Sequence, residues 1–129
     1  MACVFDGTEA RLYVDGVLEN TDVTVGSAVN NTADVLLGGR TSSSPQQFIA
    51  ADVDELRIWK RVLCEEEIQA QLSCQFDSLS QDSLIAYFNF DQGIAAGSNN
   101  DIDTLFDLSG NNHNGILNNI SKSGASSNW

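Results

Sequence analysis

The chain has 129 residues, 42% of them apolar, and sets 6 bases against 18 acids for a formal net charge of -12. A nucleic-acid binder needs a basic footprint and an anionic lipid surface attracts basic segments, so both partner classes are excluded. A single proline and no apolar run of about 18 residues leave no membrane-spanning helix, and the length fits one domain able to bury a core without staples.

Cys3-Val4-Phe5 is a short apolar run closed by the turn dipeptide Asp6-Gly7. Ala10 to Val14 alternates, with Leu12 and Val14 on one face and Arg11 and Tyr13 on the other. Asp15-Gly16 is then a tight hairpin signal, and Val17 to Val25 reads as the return strand. Val35-Leu36-Leu37 reads as a buried strand ending at Gly38-Gly39. A polar loop over 40–47 leads to the longest strand candidate, Phe48 to Trp59. Leu63 to Leu72 has the pattern of an amphipathic helix, with Leu63, Ile68 and Leu72 on one face. Glu65, Glu66 and Glu67 suit its N-terminus through the helix dipole, and Cys64 stands where a serine cap is expected. Leu84 to Phe90 is another strand and Gly93 to Asn100 a small-residue loop. Asp107 to Gly115 is a dense turn followed by Ile116-Leu117, and the polar tail ends in Trp129, a candidate anchor. Roughly seven short strands, Gly/Asn/Asp turns and one short helix predict an all-β antiparallel sandwich.

The acids divide evenly, nine in residues 1–61 and nine in 62–129, whereas the second part holds a single base, Lys122. Such a surface suits solubility, a salty or extracellular setting, or divalent cations. No secretory leader is legible. Three cysteines fit no zinc spacing. A continuous helix would hold Cys64 and Cys74 roughly 15 Å apart, while a disulfide needs Cα atoms within about 7 Å. Bridging therefore requires the helix to stop early. Cys3, in an apolar strand, reads as a buried thiol.

Three motifs carry a family resemblance. Val4 to Gly16 resembles a laminin-G-type hairpin. Asp52 to Ile68 resembles the final strand and following helix of laminin-G-like, concanavalin A-like jelly rolls of large bacterial surface proteins. Leu84 to Gly93, with Asp107-Leu108-Ser109-Gly110-Asn111 and Asn114 to Leu117, resembles the opening strand and first turn of the same family. The order is unusual, because the opening strand here follows the closing helix. Residues 1–76 resemble the C-terminal half of the family domain and 77–129 its opening. Two explanations stand. The chain spans parts of two tandem modules, or one unit is permuted, with Leu84 to Phe90 pairing beside Leu56 to Trp59. Either way the expected fold is a laminin-G-like jelly-roll sandwich, incomplete or circularly permuted. Missing strands would expose an apolar face and open edges, so dimerisation or strand exchange in isolation is expected.

The resemblance implies a non-catalytic binding or adhesion module of a larger secreted or cell-surface protein, with a glycan or protein ligand. A structural spacer in a repeat adhesin is the alternative, and a glycoside hydrolase a more distant one. The retaining glucanases of this fold class place two carboxylates about 5–5.5 Å apart. Asp52, Asp54 and Glu55 supply a first cluster, with Asp52 and Asp54 on one strand face, but Leu56 and Arg57 stand where a further acid is needed. In related sandwiches a closing-strand aspartate meets carbonyls near the opening strand to hold Ca2+. Asp54 would be that ligand, with Asp91 and the Gly93 carbonyl as partners. The alternative is an Asp54 that caps a turn or pairs with Arg57. Asp107, Ser109 and Asn111 alternate as at the start of an EF-hand loop, yet Asn112 replaces the required glycine and Asn118 the closing glutamate, which favours an Asx turn. His113, the lone histidine, reads as a solvated turn residue. Trp59, Tyr13 and Tyr87 are candidate stacking surfaces for a sugar, with core packing as the competing role. Asn30-Asn31-Thr32 and Asn119-Ile120-Ser121 match glycosylation acceptors.

Overall fold

A computed structural model describes residues 1–23, 26, 32–39, 51–72, 82–118 and 120–123. The polar loop over 40–47, the start of the Phe48 strand, Val25, Cys74, the acceptors Asn30, Asn31 and Asn119, and Trp129 lie outside them.

β1 (Ala2–Phe5), β2 (Ala10–Val14) and β3 (Val17–Asp22) form a three-stranded antiparallel sheet in sequence order. The turns are built from local chemistry. One Asp6 carboxylate oxygen accepts from the Thr8 N–H (2.9 Å), the Thr8 hydroxyl (2.7 Å) and the Glu9 N–H (3.0 Å), closing the first turn. Arg11 then bridges Asp6 and Glu9. Asp15 (φ 50°) and Gly16 (φ 79°) are both left-handed, the backbone a two-residue hairpin requires.

β4 (Leu56–Trp59) is followed by α1 (Glu65–Ala70) and then β5 (Leu84–Phe88). β4 and β5 pair antiparallel, Arg57 opposite Tyr87 and Ile58 opposite Ala86. This is the pairing of Leu84 to Phe88 beside Leu56 to Trp59 that the permuted arrangement would require. β6 (Thr104–Leu105) and β7 (Gly115–Ile116) form a two-stranded antiparallel pair. Among the described residues, strands in small antiparallel sheets, with one short helix and no barrel, make a partial all-β jelly roll.

Two small apolar clusters hold these pieces together. Val4, Tyr13, Leu63 and Ile68 form the first, with Ala2 and Trp59 packed against it. It joins the inward face of the first sheet to the helix. Ala86, Phe88 and Leu105 form the second, with Leu56, Ile58, Phe90 and Leu117 around it. It joins the β4–β5 ladder to β6.

Several expectations are corrected. Cys3 is exposed rather than buried, because strand alternation turns Val4 inward and Cys3 outward. Val35 to Leu37 is not a strand, and Val35 is 83% exposed. An apolar run becomes a strand only with a ladder partner, and it has none among the described residues. Residues 51–55 are not extended into the β4 strand either, so Asp52 and Asp54 do not share a strand face. Glu55 has a left-handed backbone (φ 54°), which breaks the extended run just before Leu56. The helix ends at Ala70 with Gln71 as its C-cap, and Leu72 is half exposed rather than on the buried face.

Candidate functional site

The dense turn after β6 is organised by one carboxylate. Asp107 Oδ1 accepts from the Tyr87 N–H (3.0 Å) and the Ser109 N–H (2.9 Å). Its Oδ2 accepts from the Ser109 hydroxyl and the His113 N–H, both at 2.9 Å. Its side chain is fully buried. Burial pushes this carboxyl upward, but the donors from Tyr87, Ser109 and His113 outweigh it and hold the pKa below the ordinary aspartate value. Ser109 Oγ also donates to the Ile85 carbonyl (3.0 Å). Asn111 Nδ2 donates to the carbonyls of Leu84 (2.9 Å) and Ile85 (3.0 Å). Residues at alternate positions, read as a degenerate cation loop or an Asx turn, are thus an Asx turn that clamps the outer edge of β5. The Asp107 oxygens are saturated by N–H and O–H donors.

On the other side of the β4–β5 ladder, Arg57 and Tyr87 lie opposite each other, with the guanidinium 5.3 Å from the ring centre. The Tyr87 hydroxyl donates to Glu55, 3.0 Å from each carboxylate oxygen, and Glu55 pairs with Arg57. Arg57 also donates to the Gln71 carbonyl at the helix end (3.3 Å). The ion-pair partner of Arg57 is therefore Glu55, not Asp54. The left-handed turn at Glu55 swings its side chain onto the Arg57 face. Asp54 instead accepts the Glu55 N–H (2.8 Å), the turn-capping role weighed above.

The aromatic candidates separate. Tyr13 is 4% and Tyr87 2% exposed, so both rings are interior and neither offers a stacking face. The reason is packing: Tyr13 takes an inward position of its strand, while Tyr87, on the face opposite Ala86 and Phe88, is covered by Arg57 and Glu55. Trp59 is half-buried against the first cluster, and the Arg61 guanidinium lies 5.1 Å from its ring centre. Among the described residues, no three His, Cys, Asp or Glu side chains gather as a metal-holding group. Asp91 accepts from Asn89 Nδ2 (3.0 Å), and Gly93 lies in the bend that follows.

Cys64 is the N-cap of α1, closing a capping box in which the Glu67 carboxylate accepts the Cys64 N–H (3.0 Å). It is a free thiol. The Glu67 N–H on its sulfur works to lower its pKa, but the Glu66 carboxylate and burial raise it above the ordinary value, against a nucleophilic role.

A shallow cavity of about 280 Å³ opens where β4 ends and β5 begins, lined by Lys60, Ser83, Leu84, Ile85, Asn111 and His113. Sequence reasoning left His113 as a solvated turn residue. Its side chain is indeed 59% exposed, yet Nδ1 sits 2.9 Å from the Ile85 carbonyl, which fixes the ring. The missed signal was tertiary: Lys60 and His113 are 53 positions apart in the sequence and meet only through the β4–β5 ladder.

Among the described residues, no helix is long and apolar enough to cross a membrane. No curated protein and no solved structure matches the chain. A laminin-G family model, described as the concanavalin A-like lectin/glucanases superfamily, matches residues 1–69. That segment contains the Asp6 turn, the Asp15-Gly16 hairpin, β4 and most of the helix, the parts whose geometry is set by the motifs described above. More than half of the chain lies within the match, and the chain belongs to the concanavalin A-like lectin/glucanases superfamily as a laminin-G-like domain.

Proposed function

We propose that the chain is a non-catalytic recognition module for carbohydrate or a protein surface, working within a larger secreted or cell-surface adhesion protein. Membership of the lectin-type family over residues 1–69 is the observation that carries this reading. Catalysis is disfavoured by the acids available: Leu56 and Arg57 follow where a hydrolase needs another carboxylate, and Glu55 is held by Arg57 and Tyr87. The proposed calcium ligands are Asp54, Asp91 and the Gly93 carbonyl. The burial of Tyr13 and Tyr87 favours a second reading, a structural spacer, because it removes two candidate stacking surfaces. A broad glycan-array screen of the purified chain, run in calcium and again in EDTA, tests these readings. Binding is expected. Loss in EDTA supports the calcium site, binding in both conditions removes the metal, and a blank array from folded protein replaces the lectin with the spacer or a protein contact.

A further inference from the structure

The cavity at the start of β5 gathers groups that the scaffold leaves available. Lys60 and Ser83 are joined through their backbones, the Lys60 N–H donating to the Ser83 carbonyl at 2.8 Å. Ser83 takes up a left-handed backbone (φ 76°), an uncommon conformation for serine that recurs at ligand sites. His113 Nδ1 lies 2.9 Å from the Ile85 carbonyl, which can only accept, so in the neutral ring Nδ1 carries the proton and Nε2 is left as an acceptor. Asn111 commits its Nδ2 to Leu84, Ile85 and Ser109, which leaves its Oδ1 as an acceptor. Among the described residues, the ion pairs engage Arg11, Arg57, Arg61 and His113, and none engages the Lys60 ammonium. Leu84 and Ile85 complete the lining.

A lysine, a histidine and an asparagine around one cavity, with aliphatic residues beside them, are complementary to one kind of small ligand. We propose that this cavity binds a single hexuronic acid residue of a glycan, its carboxylate at Lys60, its hydroxyls donating to His113 Nε2 and Asn111 Oδ1, and its C–H face against Ile85. A plain carboxylate would satisfy Lys60 and leave both acceptors idle. A neutral sugar would offer Lys60 hydroxyl oxygens but no opposite charge. The volume, about 280 Å³, is that of a one-residue subsite at the low end of ligand pockets. The net charge of -12 and the acidic Asp82 beside Ser83 oppose a long polyanion, so a single acidic residue in an otherwise neutral chain is the matching form. The inference rests on the glycan-recognition reading above.

Titration of the isotope-labelled full chain with methyl β-glucuronide, methyl β-glucoside and sodium acetate, followed by amide NMR, tests it. Glucuronide is expected to shift the amides of Lys60, Leu84, Ile85, Asn111 and His113. It should bind at least tenfold more tightly than either glucoside or acetate. Lys60→Gln, a change at an exposed side chain, should abolish that tenfold preference over glucoside, and His113→Gln should weaken glucuronide at least threefold. Equal binding of glucoside or of acetate overturns the proposal, as does an unchanged Lys60→Gln variant. Glycan-array binding with no shifts at this cavity overturns the subsite and leaves the lectin reading standing. Silence in both experiments removes both.

Discussion

Asp107 accepts four hydrogen bonds, one from Tyr87 in the adjacent strand and three from within its own turn. A buried carboxylate that satisfies backbone donors stabilises them, and its removal leaves them unpaired at about 1–3 kcal/mol each in the worst case. Asp107→Ala is accordingly expected to cost at least about 2 kcal/mol in urea unfolding. A change within 0.5 kcal/mol of zero, on the order of ordinary surface substitutions, would contradict the clamp. Glu67 works at a different scale of exposure. The Arg61 guanidinium, the Cys64 N–H and the Cys64 side chain hold its pKa down to about 2 from 4.5. The folded state thus binds the proton less readily than the unfolded chain. Its contribution to stability is complete above about pH 4.5 and is lost as pH falls toward 2. Asp6, lowered to about 2 from 3.8 with the Thr8 hydroxyl as the main cause, acts in the same direction. Glu67→Gln should therefore flatten the fall of Tm between pH 4.5 and 2 without erasing it. A Tm profile parallel to that of the parent protein would show that the capping box contributes nothing.

The hairpin of β2 and β3 and the helix α1 meet at Gly16. Gln69 Nε2 donates to the Gly16 carbonyl (3.1 Å), and a Cβ on Gly16 would lie 2.8 Å from Gln69 Cγ and 2.9 Å from Leu72 Cδ1. The backbone there is also left-handed, so two independent constraints exclude a side chain. Gly16→Ala is expected to destabilise by about 1–3 kcal/mol, read as a lower urea midpoint, and a neutral result would mean the hairpin does not dock. Elements of this local kind were legible in advance. Asp15-Gly16 carries its own turn chemistry, and Cys64 with Glu67 carries its own cap. Elements that depend on a distant partner were not. Val35 to Leu37 has strand composition but no ladder, while Thr104–Leu105, with little strand signal, becomes β6 because Gly115 and Ile116 pair with it. The Glu55 partnership with Arg57 and Tyr87 escaped strand periodicity because a left-handed residue resets it. The cavity escaped for the same reason as β6: its walls come from separate segments.

At the scale of the whole molecule, the described residues bury their apolar side chains in two modest clusters. The outward face of the first sheet presents Phe5, Val14 and Val17 to solvent, and among the described residues the sheet order leaves β1 and β3 as edges. Open edges beside exposed apolar side chains favour pairing with another chain. Light scattering at increasing concentration, in salt sufficient to screen the net charge, should show association of two copies; a monodisperse monomer throughout would contradict it. The central claim is that the early part of the chain and the part after α1 join through the β4–β5 ladder, since the proposed subsite exists only where Lys60 meets Ser83 and His113. Cross-strand proton contacts in NMR spectra of the intact chain test that ladder most directly. The account predicts contacts between Ile58 and Ala86 and between Arg57 and Tyr87, with the amides of Leu84 to Phe88 protected from exchange. Absence of those contacts, with Leu84 to Phe88 exchanging freely while the first hairpin stays protected, would contradict it.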